Sequence, residues 1–263
     1  TTAFVDIVPG SSRYRFNNWT TADITEVGNP SAPSTTVLMD KSKTVTANYV
    51  IQYKVTFNKS GVGSDFLGAV MTVDSINYGD PEFWWDSGTT HTFDFKSPLT
   101  VTANAKQYVW TSTSGLSTMK SGSVLVSQSG SITGNYKTQY YLTATSPYGV
   151  STGAGWYDSD VTAYVGLDTG VVEHTNRTRR VFTHWVGDAS GTNYTQSNPI
   201  HMNGPKTARA SWNTQYLLRI YTDPGALIPQ PTRNVTGDPD PLWRGFWFNA
   251  STNVQLTAPN VSY

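Results

Sequence analysis

Apolar and polar residues alternate one by one over short stretches of this chain, most clearly in Lys43 to Tyr49, Ala163-Tyr-Val165 and Lys206 to Trp212. A period of two sends successive side chains to opposite faces of an extended backbone, so each stretch predicts a half-buried strand. The breaks between them carry Gly, Pro, Asn and Asp, residues suited to turns. No window sustains apolar residues at i, i+3 and i+4 over helical length, and 22 Gly with 14 Pro interrupt the chain too often for long helices. The expectation is an all-β chain with no helix longer than about two turns.

The strand-like runs recur. Gln52-Tyr53, Gln139-Tyr140 and Gln215-Tyr216 open the runs Tyr53 to Phe57, Tyr140 to Ala144 and Tyr216 to Ile220. An aromatic signature follows each, as Phe83 to Gly88, Gly155 to Asp160 and Phe246 to Ser251, with a turn-forming Asp or Asn after the aromatic residues. A closing element reads Arg180 to Asp188, Ile200 to Met202 and Lys206 to Trp212, and recurs as Tyr14 to Trp19, Val37 to Asp40 and Lys43 to Tyr49. The fold expected is a tandem array of small β-sandwich-like modules, about three equivalents in all. Residues 1–49 are the closing half of a module, 50–137 a divergent module, 138–213 a complete module and 214–263 an opening half. Trp19, Trp84, Trp156, Trp185 and Trp247 are assigned to the module cores.

Composition narrows the function classes. Charged residues are 14% of the chain and the net charge is +0, which provides no basic stripe for nucleic acid or an anionic membrane surface. No apolar run approaches the ~20 residues needed to span a bilayer, and Thr1 to Gly10 lacks a signal-peptide pattern, so a mature or internal segment is expected. Cysteine is absent, which excludes disulfides.

The search for chemistry finds no phosphate loop, zinc spacing or EF-hand loop, and the expectation is no catalytic residue, no metal and no cofactor. Gly187-Asp-Ala-Ser-Gly191 reads as a surface turn. The four histidines, His91, His174, His184 and His201, do not recur at equivalent module positions. Asp158 with Asp160, and Asp238 with Asp240, read as turn residues, with loop-bound calcium the minor alternative. The doublets Trp84-Trp85, Trp156-Tyr157 and Trp247-Phe248 offer a sugar-stacking platform as the sharpest binding alternative to module packing. Seven N-glycosylation sequons begin at Asn18, Asn58, Asn176, Asn193, Asn234, Asn249 and Asn260, and N-linked glycans are expected there.

The pattern Tyr140-Tyr-Leu-Thr, Ser146-Pro-Tyr-Gly149, Gly155-Trp-Tyr-Asp158, Phe182-Thr-His-Trp185 with Gly187-Asp188, and Met202 followed by Gly204-Pro-Lys-Thr-Ala208 resembles the divergent internalin-type B repeats and related tandem repeats of bacterial and archaeal surface proteins. The resemblance is closest over residues 138–213, covers 1–49 and 214–263 as half-modules, and is weakest in the central module. It implies an extracellular, cell-surface structural role in a stalk, surface layer or head-to-tail filament, without common catalytic residues. The partners implied are copies of the chain or adjacent modules of a longer one. The alternative is an adhesin or carbohydrate binder, which would gather exposed aromatics on the unmatched loops Gly61 to Asp80 or Asp223 to Leu242 and would take surface glycans as partners.

Overall fold

The computed structural model describes residues 4–22, 24–223, 230–242 and 244–259. These residues are all-β, and their only helical element is the 3-10 turn Ile24–Glu26. The chain forms two compact units, Thr1–Gln139 and Tyr140–Tyr263.

In the first unit, Phe4–Val8 pairs antiparallel with Ser12–Thr20, which pairs antiparallel with Thr46–Ser60. The far end of Thr46–Ser60 takes Glu82–Asp86 as an antiparallel neighbour and residues 130–135 as a parallel one. A smaller sheet orders Ser121–Leu125, Thr90–Phe95, Met71–Val73 and Ile76–Tyr78. Val55, Phe57 and Ile132 from the first sheet meet Met71, Phe93 and Phe95 from the second in one core.

In the second unit, Val171–His174 pairs with Thr178–Gly187, which pairs with Lys206–Leu218, both antiparallel. Lys206–Leu218 also pairs in parallel with residues 142–145 and antiparallel with Phe246–Asn249. Leu142, Val165, Leu167, Phe182, Trp185, Ile200 and Met202 share its core.

The three strands that carry the Gln-Tyr anchors are long. Thr46–Ser60 has 15 residues, Gly130–Thr145 has 16 and Lys206–Leu218 has 13, against a common strand of about 5–6. The first part of each closes one repeat and the remainder opens the next. Consecutive repeats therefore follow one another along a continuous extended backbone with no turn at the anchor.

A bulge explains the Phe-x-x-Trp spacing. In a regular strand, residues three apart face opposite sides. The register shifts between Phe16 and Asn18, and between Phe182 and His184, and the extra residue restores both aromatics to the core side. Phe16 and Trp19 then lie 5.5 Å apart, and Phe182 and Trp185 5.3 Å apart. Each indole is held by its Nε1, which donates to Ala32 O at 3.0 Å for Trp19 and to Asn193 O at 3.1 Å for Trp185. The strand holding Trp185 ends at Gly187 (φ 89°), and the matching strand of the central repeat ends at Gly115 (φ 98°). A Cβ at either would run into the carbonyl of Thr207 or Ser131, so the position suits glycine both sterically and conformationally.

The five tryptophans assigned to the cores divide. Trp185 and Trp247 are buried, whereas Trp19, Trp84 and Trp156 are half-buried. At the first doublet it is Trp85 that faces the core, lying 6.0 Å from Phe57 and stacked on Phe83 at 4.7 Å. Adjacent strand residues face opposite ways, which turns Trp84 to the other side of the sheet.

Candidate functional site

The site with a repeated geometry lies at the anchors. Arg13, Gln52 and Asp86 occupy directly opposed positions on three neighbouring strands, and so do Arg179, Gln215 and Asn249. The outer strands belong to consecutive repeats and the middle strand is shared. Gln52 is buried; its Oε1 accepts from Arg13 Nε at 2.8 Å and its amide donates to Asp86 Oδ1 at 2.8 Å. Gln215 is equally buried; its Oε1 accepts from Arg179 Nε at 2.7 Å, and its amide donates to Asn249 Oδ1 and Asp238 Oδ2, each at 3.0 Å. A glutamine suits this place because one side-chain amide offers both an acceptor and donors to opposite sides of a strand. At the central anchor a glutamine replaces the arginine, with Gln107 Nε2 donating to Gln139 Oε1 at 2.8 Å.

Each arginine also covers an aromatic ring of the next repeat. The Arg13 guanidinium lies 4.2 Å from the Trp84 ring centre and 3.8 Å from that of Phe4, and Arg179 lies 4.7 Å from Trp247. Such stacking on an indole is favourable electrostatically and removes one ring face from other partners.

The charge balance differs between the two copies. Arg15 makes a two-pronged contact with Asp86, Nη2 to Oδ2 at 2.6 Å and Nε to Oδ1 at 3.2 Å. The Arg15 guanidinium holds the Asp86 carboxyl below the usual carboxylate range, and the Arg15 pKa is raised in turn by that hydrogen bond. In the second copy Val181 stands in the register of Arg15 and Asn249 in that of Asp86. The carboxylate comes instead from Asp238, 3.1 Å from Arg179 Nη2. Both copies keep one acid per clasp.

Other residues singled out in the sequence are placed as follows. Asp240 is buried and accepts from Arg244 Nε at 2.9 Å, Arg244 Nη2 at 2.8 Å and Trp247 Nε1 at 2.9 Å; the Arg244 guanidinium holds its carboxyl well below the usual range. Asp238 and Asp240 are thus engaged by side chains beyond their own turn. Asp160 has φ 67° and sits in a turn, 3.6 Å from His201 Nε2. His184 contacts Thr183 at 3.1 Å, and His91 stacks on Trp85 at 3.8 Å while bonding Asp74 at 2.7 Å. Of the sequons, Asn58, Asn176, Asn193, Asn234 and Asn249 are exposed and Asn18 is half-buried; Asn260 lies outside the described residues. Asn193 and Asn234 use their side-chain oxygens to accept from the backbone of Thr195 and Gln255. No group of three or more His, Cys, Asp or Glu able to hold a metal ion occurs among the described residues. None of their helices is long and apolar enough to cross a membrane.

Sequence reasoning found the Gln of each anchor and the Asp or Asn closing the aromatic strand, but missed Arg13, Arg15 and Arg179. The available signal was spacing: Arg13 and Arg179 each stand three residues before the Phe of Phe-x-x-Trp.

A family model, that of the divergent InlB B-repeat domain, matches residues 6–52. The match runs from within the strand Phe4–Val8 to the anchor Gln52, so this segment is similar to that repeat and supports the resemblance read from the sequence. No curated protein and no solved structure matches the chain.

Proposed function

We propose that this is a non-enzymatic, extracellular structural protein of the cell surface, a segment of a stalk, surface layer or filament in which β repeats act as spacers. The observation that carries the reading is the clasp. The same Arg–Gln–acid or amide arrangement locks consecutive repeats at two anchors, and it leaves its polar groups paired with one another. Buried networks satisfied in this way fix geometry instead of supplying reactive groups. The similarity to a surface-type repeat over residues 6–52 supports the location. Against a sugar-binding platform stands the cover of Trp84 and Trp247 by arginine. N-linked sugars at the exposed Asn58 and Asn176 would shield neighbouring strand edges.

Protease shaving of intact cells that make the protein tests this reading. Release of its peptides without lysis is the expected result, together with no binding across a glycan array. Peptides that appear only after lysis would overturn the location, and a saturable glycan signal lost in Trp84→Ala would favour the adhesin alternative.

A further inference from the structure

The two complete repeats show what an incomplete one lacks. In the central repeat, Val55–Asn58 of the opening strand runs parallel to Gly130–Thr133 of the closing strand, with Phe57 opposite Ile132. In the next repeat, Leu142–Thr145 runs parallel to Lys206–Arg209 in the same relative register, with Ala144 opposite Ala208. Counted from Gln52, the closing residues of the amino-terminal half are Lys43–Thr46, and counted from Gln215, the opening residues of the carboxyl-terminal half are Leu218–Tyr221.

Both of these segments lack that parallel partner in the described residues. Lys206–Leu218 begins at the first position of this ladder, whereas Thr46–Ser60 begins three residues later, leaving Lys43, Thr44 and Val45 outside any strand. Lys206–Leu218 also ends at Leu218, whereas Gly130–Thr145 continues through the equivalent positions to Thr145. Arg219, Ile220 and Tyr221 are accordingly outside any strand, and Tyr221 is 79% exposed. The core face is open in the same place. Met202 is 0% exposed and its central-repeat counterpart Val126 is 1% exposed, but their counterpart Met39 is 70% exposed. Unpaired strand edges beside exposed apolar side chains form a template for strand addition.

We infer that Leu218–Tyr221 of one copy of this chain adds in parallel to Lys43–Thr46 of a second copy, completing a repeat head to tail. The register is that of the two complete repeats: Leu218 opposite Lys43, Arg219 opposite Thr44, Ile220 opposite Val45 and Tyr221 opposite Thr46. It puts the apolar pair Ile220 and Val45 where Phe57 meets Ile132 and Ala144 meets Ala208. Each chain carries one of each edge, so the contact is heterologous and extends into an open chain of copies. This rests on the repeat reading of the proposed function and adds the partner and its register.

The absence of cysteine allows a direct test. Opposed residues on neighbouring strands are about 5 Å apart, within disulfide reach. On oxidation, the double variant Val45→Cys with Ile220→Cys is expected to give a ladder of multiples of 28.8 kDa. An equimolar mixture of the two single variants, each shown by circular dichroism to be folded, is expected to give one mixed dimer. The off-register pair Thr44→Cys with Ile220→Cys should link at least about tenfold more slowly, its side chains being directed to opposite faces. Only internally linked monomer, only like-with-like dimers, or equal rates for both pairs would overturn the inference. If linking fails while the chain is still shaved from intact cells, the pairing is wrong and the structural reading stands.

Discussion

The closing half of the complete repeat and the amino-terminal half carry the same residues in the same register, yet only one of them has a closed core. Phe182, Trp185, Ile200 and Met202 lie beneath Leu142, Val165 and Leu167 of the opening half, and Trp185, Ile200 and Met202 are at most 2% exposed. Their counterparts Phe16, Trp19, Val37 and Met39 repeat the bulge, the Phe–Trp contact and the indole hydrogen bond, but Trp19 and Val37 are half-buried and Met39 is exposed. Where Ile200 pairs with Ala163 of the opening half, Val37 bridges Val27 within its own segment. Local geometry is therefore encoded inside the closing half, whereas burial comes from the half that precedes it.

The largest expected effect comes from tryptophan truncation. Trp185→Ala is expected to destabilise its unit by ~3–5 kcal/mol. Trp19→Ala should cost about 1–2 kcal/mol, because less of the ring leaves water on folding. Met202→Ala and Met39→Ala should follow the same order, at about 2–4 kcal/mol against less than about 0.5 kcal/mol. Urea unfolding of the full chain, with exchange-resolved peptides assigning each transition, measures both pairs. Equal costs for the paired variants would break the comparison.

Removing the clasp should cost less and act alike in both units. Gln52→Ala or Gln215→Ala leaves an arginine and a carboxylate or amide without their bridging amide, a loss of about 1–3 kcal/mol. Gln→Glu should restore the bond to arginine but set a carboxylate beside Asp86 or Asp238, so it should rescue incompletely. A double-mutant cycle of Gln215 with Arg179 is expected to show coupling; additivity would mean that the two residues do not act together.

The smallest effect concerns pH. The folded-state pKa of Asp86 lies below its ordinary value because of Arg15. Its contribution is therefore full above about pH 4 and is lost as pH falls through the lowered folded value. With the Asp86 side chain 30% exposed, solvent screening limits this contribution to under about 1 kcal/mol. Asp86→Asn should flatten that part of the acid stability profile of the first unit and leave the second unchanged. In the second unit the expected acid-sensitive residue is Asp240, whose folded-state pKa is lowered by Arg244.

Much of this was legible from period and recurrence. Alternation over Lys206 to Trp212 gave the strand, and the Gln-Tyr anchors marked the recurring unit. What periodicity could not reveal was that each anchor lies inside a continuous strand, since alternation does not distinguish one strand closing and another opening from a single long one. The doublet Trp84-Trp85 was legible as one ring inward and one outward, but not which: that depends on the pairing Tyr53 with Trp85, a register set across the sheet. Arg13 and Arg179 read as ordinary solvent-facing charges in a polar stretch, because their partners Gln52 and Gln215 are 39 and 36 residues away along the chain.

Hydrogen exchange of the full chain, followed by mass spectrometry at low and high protein concentration, tests the central claim most directly. Peptides covering residues 206–208 should be protected at every concentration. Those covering 43–45 and 219–221 should exchange freely when dilute and gain protection together as concentration rises. Protection of 43–45 equal to that of 206–208 at the lowest concentration would show that the chain closes its own amino-terminal half, and would contradict the account.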